Sequence, residues 1–327
     1  MSNMQKQTIF PGLALVLVLM LPACWLGTIF PLLGSAVTGI LLGIAVRLFI
    51  PLTPTIQPGV RVAARQLLQY SIVALGFSLP LSSVVRTGLH SLPVSLVSLA
   101  VAFMVALLVG RLLHVPGKLN VLIGAGTAIC GGSAIAAIIP ALKPDDHDTT
   151  YALSTIFLFN IVAVLTFPVA GHMMGMTDKG FGLWAGTAIN DTSSVVAAGY
   201  AWSRHAGEYA TIVKLTRALM IVPVTLVISL LCQRGQAGSF SFRRVVPMFI
   251  VFFVLASATN AFLPLWLTQA IRWLAPMLIT GALIAIGLST DLARLKNAGI
   301  RPLLLGLVVW ASVVASSLIM QHITGAV

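Results

Sequence analysis

"GTAINDTSSVVAAGY" (186–200) lies between long apolar runs, yet it places Asn190, Asp191, Thr192, Ser193 and Ser194 in immediate succession. Its apolar neighbours on both sides are long enough to cross a bilayer, which needs about 20 residues per helix. A polar cluster inside such a run must have partners or a task, because unpaired polar groups are costly away from water. On an unbroken helix Thr187, Asp191 and Ser194 would share one face. Asp191 is the acidic residue set well inside a span. An intramembrane carboxylate is a functional-site hypothesis by default. Three roles are open to it: carrying a proton, binding a cation, or pairing with a basic residue.

Working outward, the chain reads as membrane-embedded throughout. Of its 327 residues 58% are hydrophobic and only 8% charged, against about 25% charged in soluble domains. We expect an all-α polytopic membrane protein forming one transporter domain over residues 1–327. Eleven candidate spans (10–11 if one is re-entrant) fall near 8–26, 30–50, 64–85, 90–113, 119–141, 150–172, 180–201, 209–232, 244–265, 270–290 and 300–321. The N-terminal stretch through Pro22-Ala23-Cys24 faintly resembles a lipoprotein signal, but its apolar pattern runs on into a second span, so it is expected to stay as the first helix.

The net charge of +12 does not point to nucleic acid, because Lys and Arg are scattered over the loops and form no basic stripe. In an eleven-span arrangement 13 of them lie on the N-terminal side: Lys6, Arg47, Arg61, Arg65, Arg111, Lys118, Lys179, Arg234, Arg243, Arg244, Arg294, Lys296 and Arg301. The other side holds 6: Arg86, Lys143, Arg204, Lys214, Arg217 and Arg272. The positive-inside rule then places the N-terminus in the cytoplasm and the C-terminus in the periplasm, with the acidic loop "KPDDHD" (143–148) outside.

An internal repeat is legible. "RQLLQYSIVALGFSLPLSSVVRTGLHSL" (65–92) aligns with "PMLITGALIAIGLSTDLARLKNAGIRPL" (276–303) at a shift of 211, matching Gly76/Gly287, Ser78/Ser289, Leu81/Leu292 and Gly88/Gly299. Span three then answers span ten, so the copies run in opposite directions. We take 60–113 and 271–321 as repeat-related and 119–141 with 180–232 as the central core. Inverted repeats with interrupted helices near the midplane are the mark of secondary transporters. A second, local match relates "GTAICGGSAIAA" (126–137) to "GTAINDTSSVVA" (186–197). The glycines of the former weaken a helix and free its backbone, making Thr127, Cys130, Gly131, Gly132 and Ser133 site candidates. Close helix packing through small residues would also use them.

Lys214 and Arg217, in "ATIVKLTRALMIVPV" (210–224), are three apart and share a face. Facing one carboxylate, they leave surplus positive charge, as an anion site needs; snorkelling to the nearby surface is the alternative. Asn160 sits at mid-span and either lines the site or bonds a neighbouring helix. The six histidines fall near span ends. No catalytic, nucleotide-binding, cofactor or metal pattern appears, and the three cysteines form no pair, so an enzyme is not expected. The partners expected are a small inorganic or organic anion, a coupling H⁺ or Na⁺ and the lipid bilayer; a homodimer is allowed.

"GAGTAICGGSAIAAI" (124–138), "GLWAGTAINDTSSVVAAG" (182–199) and "ATIVKLTRALMIVPV" together resemble the signature segments of the YeiH-like family of bacterial inner-membrane proteins, described as sulfate exporters. The resemblance covers most of the chain. It implies a panel-and-core fold of the bile-acid/arsenite/auxin carrier type, with discontinuous helices and export of a sulfate- or organosulfonate-like anion. Asp191, Lys214 and Arg217 match that pattern; Asn190 departs from it, since a His often stands there. Two other readings stay open. One is a Na⁺/H⁺-type cation antiporter using the Asn190-Asp191 pair; the other is a channel or a non-transporting membrane subunit.

Overall fold

A computed structural model describes residues 3–30, 34–49, 52–232, 247–290 and 299–325. The described residues are helical, joined by short turns. In chain order the helices are α1 Asn3–Ile29, α2 Gly34–Phe49, α3 Gln57–Val62, α4 Leu68–Ser78, α5 Leu81–Leu112, α6 Gly117–Ala128 and α7 Gly132–Leu142. They continue as α8 Asp146–Met173, α9 Asp178–Ala188, α10 Thr192–Trp202, α11 Arg204–Ala218, α12 Ile221–Cys232, α13 Met248–Thr259, α14 Leu265–Ser289 and α15 Ile300–Thr324. A π-helical turn over Ala63–Leu67 carries α3 into α4.

Six described stretches are long and apolar enough to cross a membrane: Ile9–Ile29, Leu81–Leu112, Asp146–Met173, Arg204–Cys232, Leu265–Ser289 and Ile300–Thr324. Shorter apolar helices cover Gly34–Phe49, Gly132–Leu142 and Met248–Phe262. The chain is thus a multi-pass helical membrane protein. Apolar side chains such as Phe10, Leu21, Phe49, Leu112 and Trp266 stand exposed, as a lipid-facing surface requires.

Several expected spans are redrawn. The run 119–141 is two helices, α6 and α7, parted at Ile129–Gly131, and 180–201 is likewise α9 and α10, parted at Ile189–Asp191. At 11 or 12 residues each, these halves reach about 16–18 Å, short of the roughly 30 Å hydrocarbon layer. The expected joint near 86–89 does not exist. α5 runs unbroken from Leu81, and the chain breaks instead at Leu79–Pro80. Gly88, which reads as a loop residue, is a packing residue: a Cβ there would stand 3.0 Å from Thr216 Oγ1. The orientation argument draws on Arg234, Arg243, Arg244, Arg294 and Lys296, and the repeat on Leu292. All six lie outside the described residues.

The helices gather into two compact units. The first holds α1–α4, α13, α14 and Val196–Glu208. Its core packs Val16, Ala23, Val60, Ala63, Ile284, Ala285 and Leu288. Here α2 and α14 approach backbone to backbone: a Cβ on Gly43 would meet Leu288 N at 2.9 Å, and one on Gly287 would meet Ile44 N at 2.9 Å. The two helices of this unit that carry the expected repeat, α4 and α14, end alike. α4 stops at Ser78 and α14 at Ser289, and the next residues, Leu79 and Thr290, are extended and return their N–H to Gly76 O and Gly287 O. Ser257 Oγ donates to Leu79 O at 2.7 Å and Asn260 Nδ2 to Phe77 O at 2.7 Å, so the end of α4 keeps its carbonyls satisfied without water.

The second unit holds α6–α9, α12, α15, most of α5, the first turn of α10 and α11 from Tyr209 on. Val94, Leu183 and Val213 pack together within it. Both breaks, Ile129–Gly131 and Ile189–Asp191, lie in this unit.

Candidate functional site

The two breaks arise from their sequences in matching ways. In each, "GTAI" closes the first half-helix: Ile129 N–H bonds Ala125 O and Ile189 N–H bonds Ala185 O, both at 3.1 Å. The next residues in each segment resist helix. Gly131 has φ +69°, a conformation that suits glycine and few other residues. Asn190 and Asp191 are residues that compete for backbone groups rather than extend a helix. The second halves then start at Gly132 and Thr192.

Each first half ends with carbonyls that have no helical partner. In lipid these need donors, and the helix dipole makes that end negative. α11 supplies them. Lys214 Nζ donates to Ile129 O at 2.8 Å and to Ile189 O at 2.9 Å, the corresponding carbonyls of the two breaks. Arg217 Nε donates to Ala128 O at 2.7 Å, Nη2 to Thr127 O at 3.1 Å and Nη1 to Thr187 O. Both side chains are fully buried at 0% exposure, which rules out snorkelling to the surface. Trp310 Nε1 adds a bond to Ala188 O at 3.2 Å, and the Thr187 and Ser317 hydroxyls lie 2.5 Å apart.

The starts of the second halves differ from each other. α10 is capped by Asp191, whose carboxylate accepts from Ser193 N at 3.0 Å and from the Ser193 hydroxyl. Asp191 N–H donates to Asn160 Oδ1 at 3.2 Å, tying α8 to the break. α7 starts at Gly132, and its N-cap, Gly131, offers no side-chain cap, so amides of its first turn are left for other acceptors. The breaks touch: a Cβ on Gly131 would stand 3.3 Å from Asp191 Cβ and 3.5 Å from its Oδ1.

Every sequence candidate therefore falls at or beside one place. Thr127, Cys130 and Gly131 are buried at the first break, while Gly132 is half-buried and Ser133 exposed. Asn190, Ser193 and Ser194 are buried at the second, with Asp191 and Thr192 half-buried. The helical face proposed for Thr187, Asp191 and Ser194 is not formed, because the helix stops between the first two. Among the described residues no ion pair within 4 Å joins Asp191 to Lys214 or Arg217; the one found is Arg204–Glu208 at 3.5 Å. Sequence reasoning missed Trp310 and Ser317, which carry no local signal and matter only through the carbonyl and hydroxyl they meet.

Among the described residues several polar groups here have no partner. Asn190, at 0% exposure, has neither side-chain atom hydrogen-bonded. Asn160 Nδ2 and Thr127 Oγ1 are also buried and unpaired. Native structures rarely leave such groups orphaned, and clusters of them mark places where water or a ligand belongs. By formal charge, Lys214 and Arg217 against Asp191 count one positive charge in excess, and the partial charges of the four helix ends offset each other.

Comparison with known proteins gives the family but no activity. Residues 11–306 match the family model described as "Conserved hypothetical protein 698". A UPF0324 membrane protein of Fusobacterium nucleatum is 38% identical over 96% of this chain and 98% of its own length. Relatives of the same description from Streptococcus pyogenes, at 40% identity over 95% of this chain and 96% of theirs, and from Streptococcus agalactiae, at 38% over 96% and 97%, are similar. The chain belongs to this family of membrane proteins.

Proposed function

We propose that the chain is a secondary transporter that carries a small anion of the sulfate or organosulfonate kind outward across a bacterial inner membrane. The observation that carries the reading is the meeting of two interrupted helices at Gly131 and Asp191, with two buried cations behind them. Interrupted helices of this sort build substrate and ion sites in secondary transporters, and their N-terminal ends favour anions. The anion would lie against the uncapped amides of α7 at Gly132 and Ser133 and beside Thr192, with Asn160 and Asn190 supplying further donors. Lys214 and Arg217 act from behind, mainly through their field, because two of the three ammonium N–H groups and three of the five guanidinium N–H groups go to carbonyls. Asp191 is the group placed to couple anion movement to H⁺ or Na⁺. The similar ends of α4 and α14 accord with an inverted repeat.

The test is thermal unfolding of the purified chain in detergent with sulfate, methanesulfonate, or sodium paired with a bulky inert anion, across pH. Stabilisation by the oxyanions, independent of the cation supplied, supports the reading. Stabilisation by Na⁺ alone would replace it with a cation antiporter working through Asn190 and Asp191.

A further inference from the structure

Asn190 carries an amide that its helix break does not need. The corresponding residue of the other break is Cys130, also buried, and the chain parts there without any amide. Among the described residues neither side-chain atom of Asn190 is hydrogen-bonded, although the residue is fully enclosed. Such a group is costly unless something meets it. The backbone on either side is already engaged: Ile189 O accepts from Lys214, and Asp191 N–H donates to Asn160 Oδ1.

Asn160 fixes the sense of a second buried amide. Because its Oδ1 accepts from Asp191 N–H, its Nδ2 is left as a donor, and that donor is unpaired. A Cβ on Gly131 would lie 3.4 Å from Asp191 Cα, so the uncapped start of α7 belongs to the same small region. The first-turn amides of α7, Asn160 Nδ2 and Asn190 Nδ2 all donate. Asn190 Oδ1 accepts, and whichever way that amide is turned, one of its two atoms does so. Thr127 Oγ1, buried and unpaired, can do either and does not discriminate.

Sulfate and plain alkanesulfonates offer acceptors alone. They would satisfy the donors and leave Asn190 Oδ1 orphaned beside a negative charge. We propose that the solute of this site is a small anion bearing a hydroxyl, whose oxyanion end takes the donors and whose hydroxyl donates to Asn190 Oδ1. The inference rests on the anion reading above and narrows it. A site built to hydrogen-bond a hydroxyl rejects the analogue lacking it, because its own buried group is then left unpaired.

The experiment compares hydroxyethanesulfonate with propanesulfonate, equal in charge and close in size, with a hydroxyl in one where the other has a methyl. Each is titrated calorimetrically into purified full-length protein in detergent. Wild type should bind hydroxyethanesulfonate at least about tenfold more tightly, although burial alone favours the more apolar propanesulfonate. Asn190→Leu, of similar shape, should erase that preference by weakening hydroxyethanesulfonate; circular dichroism checks its fold, and the wild-type comparison stands without it. Equal affinity for the two in wild type, or a preference that persists in a folded Asn190→Leu, overturns the proposal and leaves the anion reading standing. Binding of neither overturns both.

Discussion

Thr127 and Thr187 occupy matching places in two broken helices, and both turn their carbonyl oxygens onto the guanidinium of Arg217. Lys214, one turn earlier on the same helix, does the same for Ile129 and Ile189. One face of α11 thus closes the negative ends of two half-helices. The local sequence match between 126–137 and 186–197 has its physical counterpart there: the same backbone break, met twice by the same pair of cations.

Arg217→Ala should be strongly destabilising, because it leaves three buried carbonyls without their donor. At about 1–3 kcal/mol for each unsatisfied group, a loss of several kcal/mol is expected, read as a lower midpoint in detergent thermal unfolding. Arg217→Lys should recover only part of it, since a single ammonium cannot present the planar fork that reaches Thr127, Ala128 and Thr187 together.

Asp191→Asn separates capping from charge. Asn caps a helix about as well as Asp, so the unfolding midpoint should move little, by less than about 1 kcal/mol. Coupling should not survive: the variant is expected to bind oxyanion yet lose the pH or Na⁺ dependence of flux. A large fall in the midpoint would instead make Asp191 a structural residue.

Gly131→Ala places a side chain on a backbone at φ +69° and pushes it against Asp191. With ψ at −131° as well, the backbone term alone is about 1–3 kcal/mol. Because the substitution moves the contact between the two breaks, anion binding should fall more than stability does; comparison of titration and unfolding checks this.

Gly43→Ala and Gly287→Ala test the first unit separately. Each inserts a methyl where α2 and α14 touch backbone to backbone. Overpacking of this kind costs about 1–3 kcal/mol. Both variants should unfold earlier while an anion, once bound, still stabilises them.

The first break was legible in the sequence because Gly131 and Gly132 oppose helix locally, whereas 180–201 read as one continuous helix and its break at Asn190 and Asp191 was not expected. The neighbouring cations were half legible. Spacing puts Lys214 and Arg217 on one face, but nothing along the chain says that the face meets carbonyls rather than a solute. The joint misplaced at Gly88 shows the converse. Arg86, Gly88 and His90 look like a turn, yet the glycine is there to admit Thr216, a contact with a residue far along the chain. Trp310 and Ser317 were invisible for the same reason. The polar turn 143–148 read as an ordinary loop, because the burial of Asp148 comes from its neighbours in space.

Exchange of labelled sulfate or methanesulfonate into proteoliposomes preloaded with the same anion decides whether the meeting of the two breaks carries an anion. Wild-type protein should exchange the anion well above protein-free liposomes, and Gly131→Ala should reduce that exchange by about tenfold or more, the effect of roughly 1.4 kcal/mol at the site. Exchange of neither oxyanion, alongside Na⁺-driven proton movement that Asp191→Asn abolishes, would contradict it.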